Sequence, residues 1–83
     1  MKKYTLVLKN IWSKGMMPVF SFDVNAQDNR TALLDGEKCV VSYLGAEGYN
    51  LINSGMMIGD ETVRTLTFTR DGEETDYVLH IIE

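Results

Sequence analysis

Only one stretch of this 83-residue chain repeats its apolar residues at a helical interval. Val40, Tyr43 and Leu44 fall at i, i+3 and i+4, with Cys39 and Val41 beside that stripe. The other patterned segments alternate with period two, two before the helical stretch and three after it. One helix covers one face of a sheet, whereas a parallel sheet needs helices on both. The sequence therefore predicts an α+β fold: a mostly antiparallel sheet of about five strands, in the order ββαβββ, with one helix packed on one face. A chain of 9.4 kDa has room for a single domain, residues 1–83.

The first strand is expected over residues 3–12, where Tyr4, Leu6, Leu8 and Trp12 share a parity. Ser13, Lys14 and Gly15 supply a turn. The second strand, residues 17–24, carries Phe20, Phe22 and Val24 on one side. Its Pro18 lacks an N–H and so places it at a strand start or a sheet edge. Residues 25–30 are polar and read as a loop. Asp35 is the expected N-cap of the helix, since its carboxylate can accept from free N–H groups of the first turn. Residues 31–34 are either an earlier turn of that helix, with Gly36 inside it, or a separate segment. Gly48 is the expected left-handed residue that ends the helix. Three strands follow, over residues 49–58, 63–70 and 77–82, with turns at residues 59–61 and at Asp71-Gly72, a strong hairpin signal. The alternation of the first of these fades at Ser54-Gly55.

Charge narrows the function classes. The net charge is −4, but residues 1–41 carry +2 and residues 42–83 carry −6. An acidic chain without a basic stripe has nothing to offset a polyanion, so nucleic-acid binding is not expected. The apolar run after Lys2-Lys3 is cut at Lys9, too short for a secretory signal, and no stretch has the length of a membrane span. A cytoplasmic location without membrane attachment is the default expectation. The single cysteine, Cys39, excludes an intrachain disulfide and a cysteine-rich zinc site.

At residues 43–51, Tyr-Leu-Gly-Ala-Glu-Gly-Tyr-Asn-Leu, the chain resembles a family of short bacterial and phage domains, domain of unknown function 4177. In that family a helix ends in Leu-Gly-x-x-Gly, followed by an aromatic residue and Glu-Leu. The similar stretch covers residues 37–70, with Tyr49 where the family usually has Trp and Asn50 where it usually has Glu. The resemblance implies a helix running into a strand, a turn and a further strand, and it carries no catalytic residue.

No phosphate-binding glycine loop, metal-ligand spacing or nucleophile motif is present, so neither catalysis nor a cofactor or metal is expected. His80 reads as a strand histidine, the alternative being a ligand contact. Cys39 reads as a small buried hydrophobe, the alternative being a thiol activated by a helix N-terminus. Asp71, Glu73, Glu74 and Asp76 lack the order of a calcium loop and read as a solvated turn or an acidic docking patch, which Asp60 and Glu61 would strengthen from the same end of the sheet.

Apolar residues on both parities, Val7 with Ile11, Ile52 with Ile58 and Val78 with Ile82, imply that something covers part of the face opposite the helix. The two methionine pairs fit an adaptable contact surface as well as gap-filling in a core. The leading expectation is a small non-catalytic module that binds a protein partner and forms a homo-oligomer, in the manner of an accessory protein or a phage-encoded inhibitor of a host protein. Its expected partner-binding residues are Trp12, Met16, Met17, Met56 and Met57. The rival is an oligomer that binds a small ligand such as a metabolite or nucleotide. Tyr43 and Tyr49 (with Tyr4 and Trp12) would stack on a ring, and Arg64 or Arg70 would meet a phosphate.

Overall fold

The computed structural model describes residues 1–12 and 15–82, with only the backbone of Trp12, Met16 and Met17. Five strands and one helix follow in the expected order: β1 (Lys2–Trp12), β2 (Gly15–Ala26), α1 (Asn29–Gly45), β3 (Asn50–Met57), β4 (Asp60–Arg70) and β5 (Glu73–Ile82). All strand pairs are antiparallel in one sheet of order β2-β1-β5-β4-β3, an α+β fold. The turn expected at Ser13-Lys14 lies outside the described residues. Among the described residues no helix is long and apolar enough to cross a membrane.

Strand parity decides what the helix covers. Leu6 and Leu8 of β1, Tyr77, Leu79 and Ile81 of β5, and Leu66 and Phe68 of β4 are buried together with Ala32, Leu33, Val40 and Leu44 of α1. Phe20, Phe22, Val24 and Leu51 close the two sides of this core. Phe68 meets Tyr77 edge to face, with ring centroids 5.6 Å apart, a favourable orientation for two aromatic quadrupoles.

The helix starts earlier than expected. Asp28, not Asp35, is its N-cap, accepting at Oδ1 from the Thr31 N–H at 2.8 Å. That bond holds the Asp28 carboxyl below its usual pKa. Residues 31–34 are the first helical turns, and the expected loop over residues 25–30 shrinks because β2 continues to Ala26. Gly36 lies inside the helix because it crosses closest to the sheet there. A Cβ on it would stand 2.7 Å from Leu6 Cδ2 and 3.1 Å from Leu79 Cδ2. At the other end, Gly48 takes a φ of 91°. The Tyr49 N–H donates to Leu44 O and the Gly48 N–H to Gly45 O, the paired bonds of a Schellman ending. Cys39 is exposed rather than buried, since the helix buries the narrow stripe through residues 32, 33, 36, 40 and 44.

The fading alternation in β3 has a specific cause. Leu51 pairs with Phe68 but Asn53 pairs with Thr67, so Ile52 is an extra residue and parity shifts beyond it. A similar irregularity between Leu8 and Lys9 displaces Val19 from the β1–β2 register. The Asp71-Gly72 turn has both residues at positive φ, 53° and 82°, the form that matches the twist of a two-residue hairpin.

Candidate functional site

The face of the sheet away from α1 is where the sequence implied a covering partner. Val7, Val63 and Val78 form its centre and are buried although they stand outside the helix-side core. Side chains of the same face therefore cover them. Around them lie Thr5, Lys9, Asp23, Thr65, Thr67, Asp76 and His80. Thr5 donates to Asp23 and Thr67 to Asp76, at 2.8 and 2.9 Å. Lys3 adds an exposed ion pair with Asp23. Thr65 donates to the Gly55 carbonyl, and at the margins of this face Ile11 and Ile82 remain exposed.

A second group of exposed apolar side chains lies at the β3 edge. Ile52 is 52% exposed at the β3 bulge, Met57 is 43% exposed, Met56 is partly exposed, and Ile58 at the β3–β4 turn is fully exposed. They follow one another along the outer edge strand. Residues 48–59, which contain all of β3, carry no charged side chain. The hairpin also borders an open groove of about 1000 Å³ at the start of α1, lined by Lys2, Tyr4, Asp28, Arg30, Met56 and Asp60 among others.

The structure separates the residues singled out as contact candidates. Met56 and Met57 lie in β3, whereas the backbone of Trp12, Met16 and Met17 belongs to the β1–β2 hairpin at the opposite edge of the sheet. Four strand spacings, about 19 Å, lie between the two edges. The side chains of Trp12, Met16 and Met17 are outside the described residues. Of the residues proposed for a small ligand, Tyr49 and Arg70 meet, the guanidinium carbon lying 4.2 Å from the ring centroid. Arg70 also donates to the Glu47 carbonyl. Tyr43 stacks on Phe20 at 4.3 Å. Arg64 instead lies at the interior of the helix–sheet contact, donating to Glu37 Oε1 at 2.7 Å and to Ser54 Oγ at 3.2 Å. Its side chain and that of Glu37 are only 13% and 17% exposed, so this charge is committed within the fold.

Asp60 and Glu61 do not join the acidic turn around Asp71. They begin β4, and the Asp71-Gly72 turn follows its other end, so the two groups occupy opposite ends of the sheet. Asp60 is held by Thr62, whose hydroxyl and N–H both donate to it and keep its pKa low. His80 stands half-buried between Val7 and Val63 on the face away from the helix. Among the described residues, no group of three or more His, Cys, Asp and Glu side chains could hold a metal ion.

Ile52 and Ile58 were legible as apolar residues but not as surface residues. The signal that could have found them is the charge-free run through residues 48–59, in a chain that is 24% charged. No protein-family model, curated protein or solved structure matches the chain.

Proposed function

We propose that this protein is a non-catalytic protein-binding module that docks a polypeptide along the β3 edge and the β3–β4 turn. The observation that carries this reading is the coincidence, in one outer strand and the turn that follows it, of exposed Ile52, Met57 and Ile58 with a complete absence of charge. An outer strand presents backbone N–H and C=O groups to whatever lies alongside, and proteins that avoid such pairing place charge or proline there. Strand addition takes affinity from those backbone groups and selectivity from side chains beside them. The acidic turn at Asp71 adds an electrostatic patch at the far end of the sheet.

Less supports a small-ligand site. Arg64 is neutralised by Glu37, and Arg70 already sits on Tyr49, so neither cation is free to meet a phosphate without giving up a contact. The docking reading is tested by capture from lysate, with untagged protein as competitor, beside the double variant Ile52→Lys, Ile58→Asp. A competed protein, this chain itself included, should be retained by the native form and lost by the variant. Retention of the same protein by both forms, or of none by either, would overturn the reading.

A further inference from the structure

On the reading that β3 is a docking edge, we infer that its occupant is a second copy of this chain. The second β3 pairs antiparallel with the first about a two-fold axis at Ser54, joining two five-stranded sheets into one. Charge makes the first argument. A strand paired with its own copy brings every side chain near an identical one, so a charge in it would face a like charge. Residues 48–59 avoid that conflict completely, although the chain as a whole carries 8 basic and 12 acidic residues. A foreign partner imposes no such neutrality. For a chain of net charge −4 it would favour complementary charges at the contact. A second copy is repelled by most of the molecule and least repelled here.

The apolar residues make the second argument. With the axis at Ser54, the segment around Ile52 of one copy runs beside Met56 and Met57 of the other, and the turn that carries the exposed Ile58 lies near the start of the other β3. Two equivalent apolar clusters thus flank the axis, using the side chains that the single chain leaves in water. Asn50, Asn53 and Ser54 each hold both a donor and an acceptor, so they suit a self-complementary contact.

The third argument is closure. The other outer strand, β2, contains Pro18 and Asp23, both devices that discourage a further strand. With one pairing edge per chain, an isologous contact ends at two copies instead of continuing into a fibre.

The experiment is sedimentation velocity on the native protein, Asn53→Lys and Asn53→Glu, alone and mixed in equal amounts. Asn53 is exposed on β3 and, in this pairing, lies diagonal to its own copy. The native protein should sediment at twice 9.4 kDa. Each charged variant should weaken the pairing about 10-fold or more, and the mixture should restore it. Circular dichroism identical to that of the native form confirms that the variants fold. A native protein that stays monomeric at every concentration would overturn the inference, as would a dimer indifferent to both charges. If it is monomeric but Ile52→Lys still abolishes capture of a competed lysate protein, the docking reading survives with a different occupant. If neither assembly nor capture occurs, both fall.

Discussion

The two outer strands of this sheet are built from opposite materials. β2 holds a proline, a bulge at Val19, and Asp23 tied to Thr5 and Lys3, and it pairs with β1 along nearly its whole length. β3 is shorter and neutral, and it is bulged so that Ile52 turns outward. Both lie under the same helix and both contribute to one core. The contrast therefore does not concern stability. Burial beneath α1 holds the two edges in place, and their different outward chemistry decides which one can accept another strand.

The strongest way to break the comparison is to remove what the edges share. Gly36→Val pushes a branched side chain against Leu6 and Leu79, and the helix must lift from the sheet. Overpacking of this kind should cost about 1–3 kcal/mol or more, with chemical denaturation showing the loss and hydrogen exchange rising at both edges.

A variant that separates the edges should cost somewhat less. Arg64→Met removes the ion pair with Glu37 and the hydrogen bond to Ser54, which together fasten β4 and β3 to the helix. Leaving Glu37 half-buried without a partner should cost roughly 1–2 kcal/mol. Faster amide exchange should appear in β3 while β2 stays protected.

Alkali sharpens the same difference. Tyr77 lies in the central strand, edge to face with Phe68 of β4, and burial raises its pKa above 10.0. The unfolded chain ionises first, so the contribution of Tyr77 to stability is constant below about pH 10 and falls as the pH rises past it. A pH series of denaturation midpoints should show that decline in the native protein and a shallower one in Tyr77→Phe.

The smallest change in stability, with the largest change in assembly, is expected from opening β2. Pro18→Thr combined with Asp23→Asn removes two of its protective residues at solvent-exposed sites. The denaturation midpoint should move little, whereas light scattering should report growth beyond two copies. A particle of unchanged mass would show that Pro18 and Asp23 are not what keeps this edge unpaired.

Much of this architecture was written in local patterns. Parity identified all five strands, Pro18 left a strand start or a sheet edge and β2 is the latter, Asp71-Gly72 identified its turn, and Gly48 identified the end of the helix. The start of the helix was misplaced because Asp35, read as its cap, lies inside it and Asp28 caps it instead, and only the crossing point over Leu6 and Leu79 explains a glycine inside it. The location of exposed apolar area was equally hidden. Ile52 reads as an ordinary strand residue until the pairing of Leu51 with Phe68 and Asn53 with Thr67 makes it the extra one. Bulges depend on a partner strand, so a single segment cannot reveal them. The opposite placement of the two methionine pairs likewise follows from sheet order, which pairing across the chain decides.

That order has a consequence for how the chain reaches its folded state. All five strands are linked by hairpin to a sequence neighbour, β1 with β2 and β4 with both β3 and β5. Such units close quickly, since little chain must be gathered. The seam between β1 and β5 is different: it joins Thr5 to Ile82 and Val7 to His80, nearly the full length of the chain apart. Its closure carries the largest loop entropy in the molecule and should set the pace of folding. Until that seam forms, β1 and β5 are themselves outer strands, apolar on the side that will meet the helix. During that interval the chain exposes more pairing edges than it ever does once folded, and crowding at that stage is when it is most open to mispairing.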